Sequence, residues 1–318
     1  MRARRLLPWS IPAAAVLACG VYWTQLLHTQ ERARDRALHT AAARAAHLAD
    51  TLALQAETLV QSADFVLSTV GAQWGDRQPL PPLPYPPGAV LQLGVLDGKG
   101  KLQSQDGSVA RVVIDGLPAS APGLSVGAPA RQPVAGAVSF VRPLPGQGQA
   151  QVLLTLSPNY LTGLLRRLQP SRGDLLLLAR ADGVAVARSD GLVEPLPFPV
   201  GPLFEHAPRT DEVLSQAWPA EDGRRILGWQ RVGNTPLLAL AAVDEGGALR
   251  GVQAEQATAR RRGGLGSAAV LVMAGVLSLL LRRRQRRRTT AASAAAKPLG
   301  KPAGAHTATP ANSASTPA

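Results

Sequence analysis

The chain has 318 residues, of which 46% are hydrophobic and 17% charged, and its 34 Lys and Arg against 21 Asp and Glu give a formal net charge of +13. Such a basic balance invites a nucleic-acid reading, but residues 29–259 hold 20 basic and 21 acidic side chains, so the excess sits in the flanks and no nucleic acid is expected as a partner. A lone cysteine, Cys19, excludes an intramolecular disulfide and a cysteine-based metal site.

Behind Arg2, Arg4 and Arg5, which mark a cytoplasmic N-terminus at residues 1–5, a charge-free apolar stretch fills residues 6–27. At about 1.5 Å per helical residue it is long enough to cross a hydrocarbon core of roughly 30 Å. Two readings of it stay open. Val16-Leu17-Ala18-Cys19 resembles a loose bacterial lipobox, which would end in a cleaved and lipidated Cys19. The apolar run nevertheless continues through Val21, Tyr22, Trp23, Leu26 and Leu27, as an uncleaved anchor would. Residues 28–72 read as one long stalk helix, because residues 29–70 contain neither Pro nor Gly and are rich in Ala, Leu, Arg, Glu and Gln. Leu38, Ala41, Ala45, Leu48, Leu52, Leu59 and Val66 recur close to a 3.5-residue repeat, interrupted at Gln55 and Ser62. Pairing of its lower part with a second copy, giving a homodimer, and an unpartnered stalk are both compatible with that pattern. Gly71 is expected to end the helix, and Pro79 to Gly88 to form a rigid connector.

From Ala89 onward the pattern changes to short strands. The apolar run from Val90 to Leu96 leads into Asp97-Gly98, and Asp182-Gly183 and Asp222-Gly223 recur between apolar runs. Asp-Gly permits the positive φ of a tight turn, so three hairpins are expected. Further strands are expected at Val134–Val141, Gln151–Leu156, Arg225–Val232 and Pro236–Val243. A helix from Ser157 or Pro158 to Leu168 has a good N-cap and N1 pair at its start and Arg166 and Arg167 in its last turn, where cations suit the helix dipole. It divides this region into units at residues 73–156 and 157–245. A connecting helix at residues 246–262 then feeds a second apolar stretch at residues 263–281, bracketed by Arg260 to Arg262 and by Arg282 to Arg284 with Arg286 to Arg288. Six arginines after that stretch against three before it place the C-terminus in the cytoplasm, so two spans put residues of about 29–259 on the periplasmic side. Arg32, Arg34 and Arg36 after the first span keep the inverted orientation open. The small pairs Ala274/Ser278 and Gly263/Ser267 permit close helix approach. Residues 282–318 read as a basic, disordered cytoplasmic tail, dominated near its end by Ala, Thr, Pro and Ser.

The order of anchor, long helix, hairpin, Leu156-Ser157-Pro158-Asn159-Tyr160 helix and the Gly173-to-Ser189 hairpin, followed by Pro202-Leu203-Phe204 and a final strand pair, resembles the double Cache, or PDC, sensor domain. That domain stands at the front of bacterial diguanylate cyclases, histidine kinases and chemoreceptors. The resemblance implies an α+β fold with two PAS-like antiparallel-sheet units, one membrane-distal and one membrane-proximal, that bind small ligands and signal by shifting helices. The run Ile114 to Ser120, rich in small residues, departs from the usual distal element, which puts the distal pocket in doubt. Only 30 residues follow Arg288, too few for an output domain.

Catalytic motifs are missing: there is no Gly-x-Ser-x-Gly elbow, no His-Glu-x-x-His and no phosphate loop. The five histidines are scattered, and the acid pairs Asp211-Glu212, Glu221-Asp222 and Asp244-Glu245 fall at turns or element ends, where solvation is the ordinary explanation. The expectation is a protein that is not an enzyme, with no cofactor and no metal. Candidate ligand-binding residues are Arg131, Ser139 and Arg142 in the distal unit, where a guanidinium can clamp a carboxylate, and Trp229 with Arg231 in the proximal one. The competing readings are solvated arginines and a core tryptophan. A membrane-anchored periplasmic sensor of the bacterial inner membrane is expected, in contact with lipid and reporting to a separate signalling partner. The alternative is a non-sensing envelope scaffold built on a degenerate form of the same fold.

Overall fold

A computed structural model of the chain describes residues 7–74, 82–104, 107–112, 123–144, 146, 148–168, 171, 173–192, 196, 200–205, 214–217 and 223–295. It has two compact units, one of His28–Ala257 and one that joins the segments up to Leu27 and from Thr258. Two long helices, α1 (Leu7–Gln73) and α4 (Glu245–Ala295), contribute to both.

In the larger unit one face of α1 is the spine of the core. Ala45, Ala49, Leu52, Ala56, Ala63 and Leu67 on that face are fully buried, at spacings of three, four and seven that keep one stripe pointing inward. Most are alanines, so the backbone of α1 comes close to what it covers. The expected stripe from Leu38 to Val66 belongs to this same core. Gly71 does not end the helix: a Cβ there would lie 3.2 Å from Leu144 and 3.3 Å from Val152, so the glycine serves close packing instead, and the helix runs on to Gln73.

What α1 covers is two antiparallel sheets. The first consists of β1 (Val90–Leu96), β2 (Lys101–Ser104), β3 (Val109–Arg111), β4 (Ser125–Val126), β5 (Val138–Pro143) and β6 (Gln151–Leu156), in the order β3-β2-β1-β6-β5-β4. After helix α2 (Pro158–Leu168) comes the second, with β7 (Leu175–Arg180), β8 (Ala185–Arg188), β9 (Leu214–Ala217), β10 (Arg224–Arg231) and β11 (Leu237–Asp244) in the order β8-β7-β11-β10-β9; a short helix, α3 (Gly201–Glu205), precedes β9. Apolar side chains from the inner faces of both sheets, including Phe140, Leu154, Leu176 and Ile226, join α1 in one core.

The hairpin at Asp97 forms, but with a different turn from a two-residue Asp-Gly. Asp97 N donates to Lys101 O and the positive φ falls on Gly100, at 79°. The Asp97 carboxylate accepts the amides of Lys99 and Lys101 at 2.9 and 2.8 Å, and these bonds hold its pKa below the usual value. At the second hairpin Gly183 does take a positive φ, of 83°. Asp222 of the third lies outside the described residues, although β9 and β10 pair on either side of that turn. The short strands β3, β4 and β9 were not expected, being too brief to show a two-residue period.

Charged groups fasten α1 to both sheets. Arg44 donates to Ser171 Oγ at 2.7 Å and pairs with Asp174, which is buried, while Arg142 on β5 pairs with Asp64 of α1. Burial pushes the Asp174 carboxyl up from its ordinary pKa, and the Arg44 guanidinium opposes that rise. At the junction of β11 and α4, the Asp244 carboxylate accepts the amides of Gly246 at 3.1 Å and Gly247 at 2.9 Å, capping the helix.

In the smaller unit α1 and α4 are both long and apolar enough to cross a membrane. Trp23 Nε1 donates to Ser267 Oγ at 3.1 Å, and a Cβ on Gly263 would meet the Tyr22 hydroxyl at 3.0 Å. The Gly263/Ser267 pair therefore serves contact within the chain. Helix α4 continues through Arg282 to Arg284 as far as Ala295, a stretch expected to belong to the disordered tail. Residues 1–6 and 296–318 lie outside the description.

Candidate functional site

Side chains of directly opposed residues in an antiparallel pair share a face, so the register of the first sheet sorts its residues into two sets. Leu93, Val95, Phe140, Val152 and Leu154 belong to the core against α1. On the other face, Leu96, Leu102, Val141 and Leu153 form a small cluster of their own with Val112 packed against it. Beyond that cluster the outer face turns polar. Gln92 of β1 opposes Thr155 of β6, which opposes Ser139 of β5, so three polar side chains run in one row across the three central strands.

Ser139 and Thr155 are 2% and 1% exposed, and their hydroxyls bond each other at 3.0 Å. The Oε1 of Gln92 is buried with no hydrogen-bond partner among the described residues. An unmet buried acceptor costs about 1–3 kcal/mol, a cost that a donor brought from outside would relieve.

A cavity of about 610 Å³ opens beside Gln92, within the size range of small-molecule pockets. Its other walls come from Ala110 and Arg111 of β3, from Val112, and from Arg131, Gln132 and Pro133 of the connection between β4 and β5. Strand β3 and strand β4 are the two edges of the sheet. One cavity lined from both shows that the edges approach each other over the outer face, as twist and coiling of a six-stranded sheet allow. Arg111 and Arg131 are both exposed, and among the described residues neither has an ion-pair partner. No acidic side chain is among the described lining residues.

The expected site residues are therefore only partly brought together. Arg131 lines the cavity, and Ser139 lies in the polar row that includes Gln92. Arg142 does not join them: it opposes Val152 on the inner face and pairs with Asp64, because three residues from Ser139 on a strand is the opposite side. Trp229 is 8% exposed and packs with Leu175, Leu177, Leu227 and Leu240 on the outer face of the second sheet, where Leu196, Val200 and Leu203 lie over it. That face is filled by side chains. Arg231 is exposed at the end of β10. Gln92 and Arg111 escaped the sequence reading. For Gln92 the signal was present, a polar residue inside the run Val90 to Leu96; for Arg111 there was none, since β3 is only three residues long. Among the described residues no three His, Cys, Asp or Glu side chains gather in a way that could hold a metal ion.

No family model matches the chain, and no curated protein matches it either. Solved structures do. The extracellular domain assigned to a histidine kinase, rpHK1S-Z16, aligns at TM-score 0.50 and 18% identity, covering 65% of this chain and 95% of that one. The ligand-binding domain of the Pseudomonas aeruginosa amino acid chemoreceptor PctB, in complex with L-Arg, aligns at TM-score 0.41 and 18% identity over 73% of this chain and 96% of its own. The fold is thus that of the extracellular, Cache-like domains found in histidine kinases and chemoreceptors.

Proposed function

We propose that this chain is a membrane-anchored sensor that takes up a small molecule in the cavity over the outer face of its first sheet and reports occupancy to a separate partner in or below the membrane. The observation that carries the proposal is the unmet Oε1 of Gln92 in the polar row of that face, beside a cavity of about 610 Å³. Packing alone does not call for a polar row there, whereas a ligand with a donor does. The second sheet, with Trp229 packed into its outer face, acts as the rigid element that relays a shift. Its central strand β11 runs without a break into α4 across the Asp244 cap, so a displacement of β11 moves the start of the helix that leads to the second apolar stretch. Six arginines after that stretch favour a cytoplasmic C-terminus, with residues of about 29–259 outside.

Melting of the purified full chain in detergent, followed across a library of small acids, amines and sugars, tests the reading. A saturable rise in melting temperature with one compound class is expected. A flat response to every compound would leave the scaffold reading in its place. A cytoplasmic reporter fused after Arg288 should be active; activity only outside the cytoplasm would reverse the orientation.

A further inference from the structure

The cavity has a chemical character that narrows what it accepts. Two guanidiniums, from Arg111 on one sheet edge and Arg131 on the other, line it without ion-pair partners among the described residues, and no described acid lines it. A zwitterionic amino acid brings an ammonium that needs a carboxylate or a set of carbonyls, and placing it beside two arginines costs energy. A doubly charged oxyanion fits the pair instead, since each guanidinium offers a planar fork of donors to a carboxylate or phosphate. The amide Oε1 of Gln92 adds a second demand, because an acceptor buried at the cavity is met only by a ligand O–H or N–H.

Resting on the sensor reading above, we propose that the ligand is a small dianionic oxyacid carrying a hydroxyl group, a hydroxy-dicarboxylate or a polyol phosphate. Its two charges engage Arg111 and Arg131, and its hydroxyl donates to Gln92 Oε1. The shared chemistry is the dianion with an adjacent hydroxyl; dicarboxylate and phosphate are its two sources.

The probes are L-malate, glycerol 3-phosphate, succinate, L-alanine and glucose, each titrated into the full chain in detergent at one fixed salt concentration while the melting temperature is read. Malate or glycerol 3-phosphate is expected to raise it, and which of the two does so identifies the source. Succinate, with both charges but no hydroxyl, should bind roughly fivefold more weakly than malate, the value of one neutral hydrogen bond. Arg111→Gln and Arg131→Gln should each weaken the active dianion roughly tenfold or more. Gln92→Leu should bring malate down to the level of succinate. Arg142→Gln, on the opposite face, should change nothing. Both arginines are exposed, so their substitution does not threaten folding.

A shift with alanine or glucose and none with the dianions would overturn the ligand class while leaving the sensor reading intact. Silence with all five probes overturns the ligand class, and silence across the wider library removes the sensor reading as well. Equal shifts in wild type and in all three cavity variants would place the anion on the arginine-rich flanks, which also overturns the proposal.

Discussion

Gly228 on β10 is the most exacting point of contact between the long helix and the second sheet. A Cβ built there would lie 2.3 Å from the carbonyl carbon of Ala45 and 2.4 Å from its oxygen and from the amide nitrogen of Ala46. These are backbone atoms of α1 and cannot rotate away. Gly228→Ala must therefore push strand and helix apart by about 1 Å to restore ordinary contact beyond 3.4 Å. A gap of about 0.5–1 Å forfeits a quarter to a half of each dispersion well of ~0.1–0.2 kcal/mol. A residue with roughly ten contacts across the seam then loses about 0.6 kcal/mol. Ala45, Ala49, Leu52, Ile226, Ala239 and Ala241 share this core, which brings the loss to about 4 kcal/mol, above the usual range for overpacking because no side chain is free to yield. For a unit of this size that lowers the melting temperature by about 8–16 °C. Gly163 in α2 is the matched control: nothing lies within 4 Å of its added Cβ, so Gly163→Ala should stabilise by up to about 1 kcal/mol. Thermal melts of both variants followed by far-ultraviolet circular dichroism decide the matter. A Gly228→Ala chain melting within about 2 °C of wild type would refute the register of β10 against α1.

Three further outcomes are expected. Burial raises the pKa of the Asp174 carboxyl above its ordinary 3.8, so the stabilisation gained by protonating it is complete below that value and is lost as pH rises through the raised one. Wild type should thus lose melting temperature relative to Asp174→Asn over that acidic window, and a difference that grows in the opposite direction would be inconsistent with a desolvated carboxyl. Trp229→Ala removes a ring from the filled face of the second sheet and should cost about 3–5 kcal/mol, read as a lower urea midpoint; a loss below about 1 kcal/mol would mean that the ring is not packed. Arg142→Ala breaks a half-exposed pair with Asp64 and should cost no more than about 1 kcal/mol, with a smaller difference at high salt; a larger, salt-insensitive loss would contradict a solvent-screened pair.

Local signals made much of the architecture legible. The stripe from Leu38 to Val66, the proline start and arginine end of α2, and the apolar runs that became β1, β6, β10 and β11 all depend on spacing within one element, which a chain carries whatever surrounds it. The short strands β3, β4 and β9 gave no such period and emerge only by pairing with longer neighbours. Gly71 and Gly228 looked like a stop signal and an ordinary strand residue; their purpose is close approach to other elements, which leaves no mark along the chain. Expecting Arg142 beside Ser139 failed for a simpler reason, since an odd spacing on a strand reverses the face.

The sequence by itself determined the charge division, the two apolar stretches, the long helix and the sheet-forming runs, because hydropathy and backbone preference act over a few residues. Only the tertiary structure decided the cavity. Gln92, Arg111 and Arg131 meet because successive strands are each rotated a little against the next, and across six strands those rotations sum until the two edges of the sheet approach over one face. That sum is a property of the whole sheet, and no single segment encodes it.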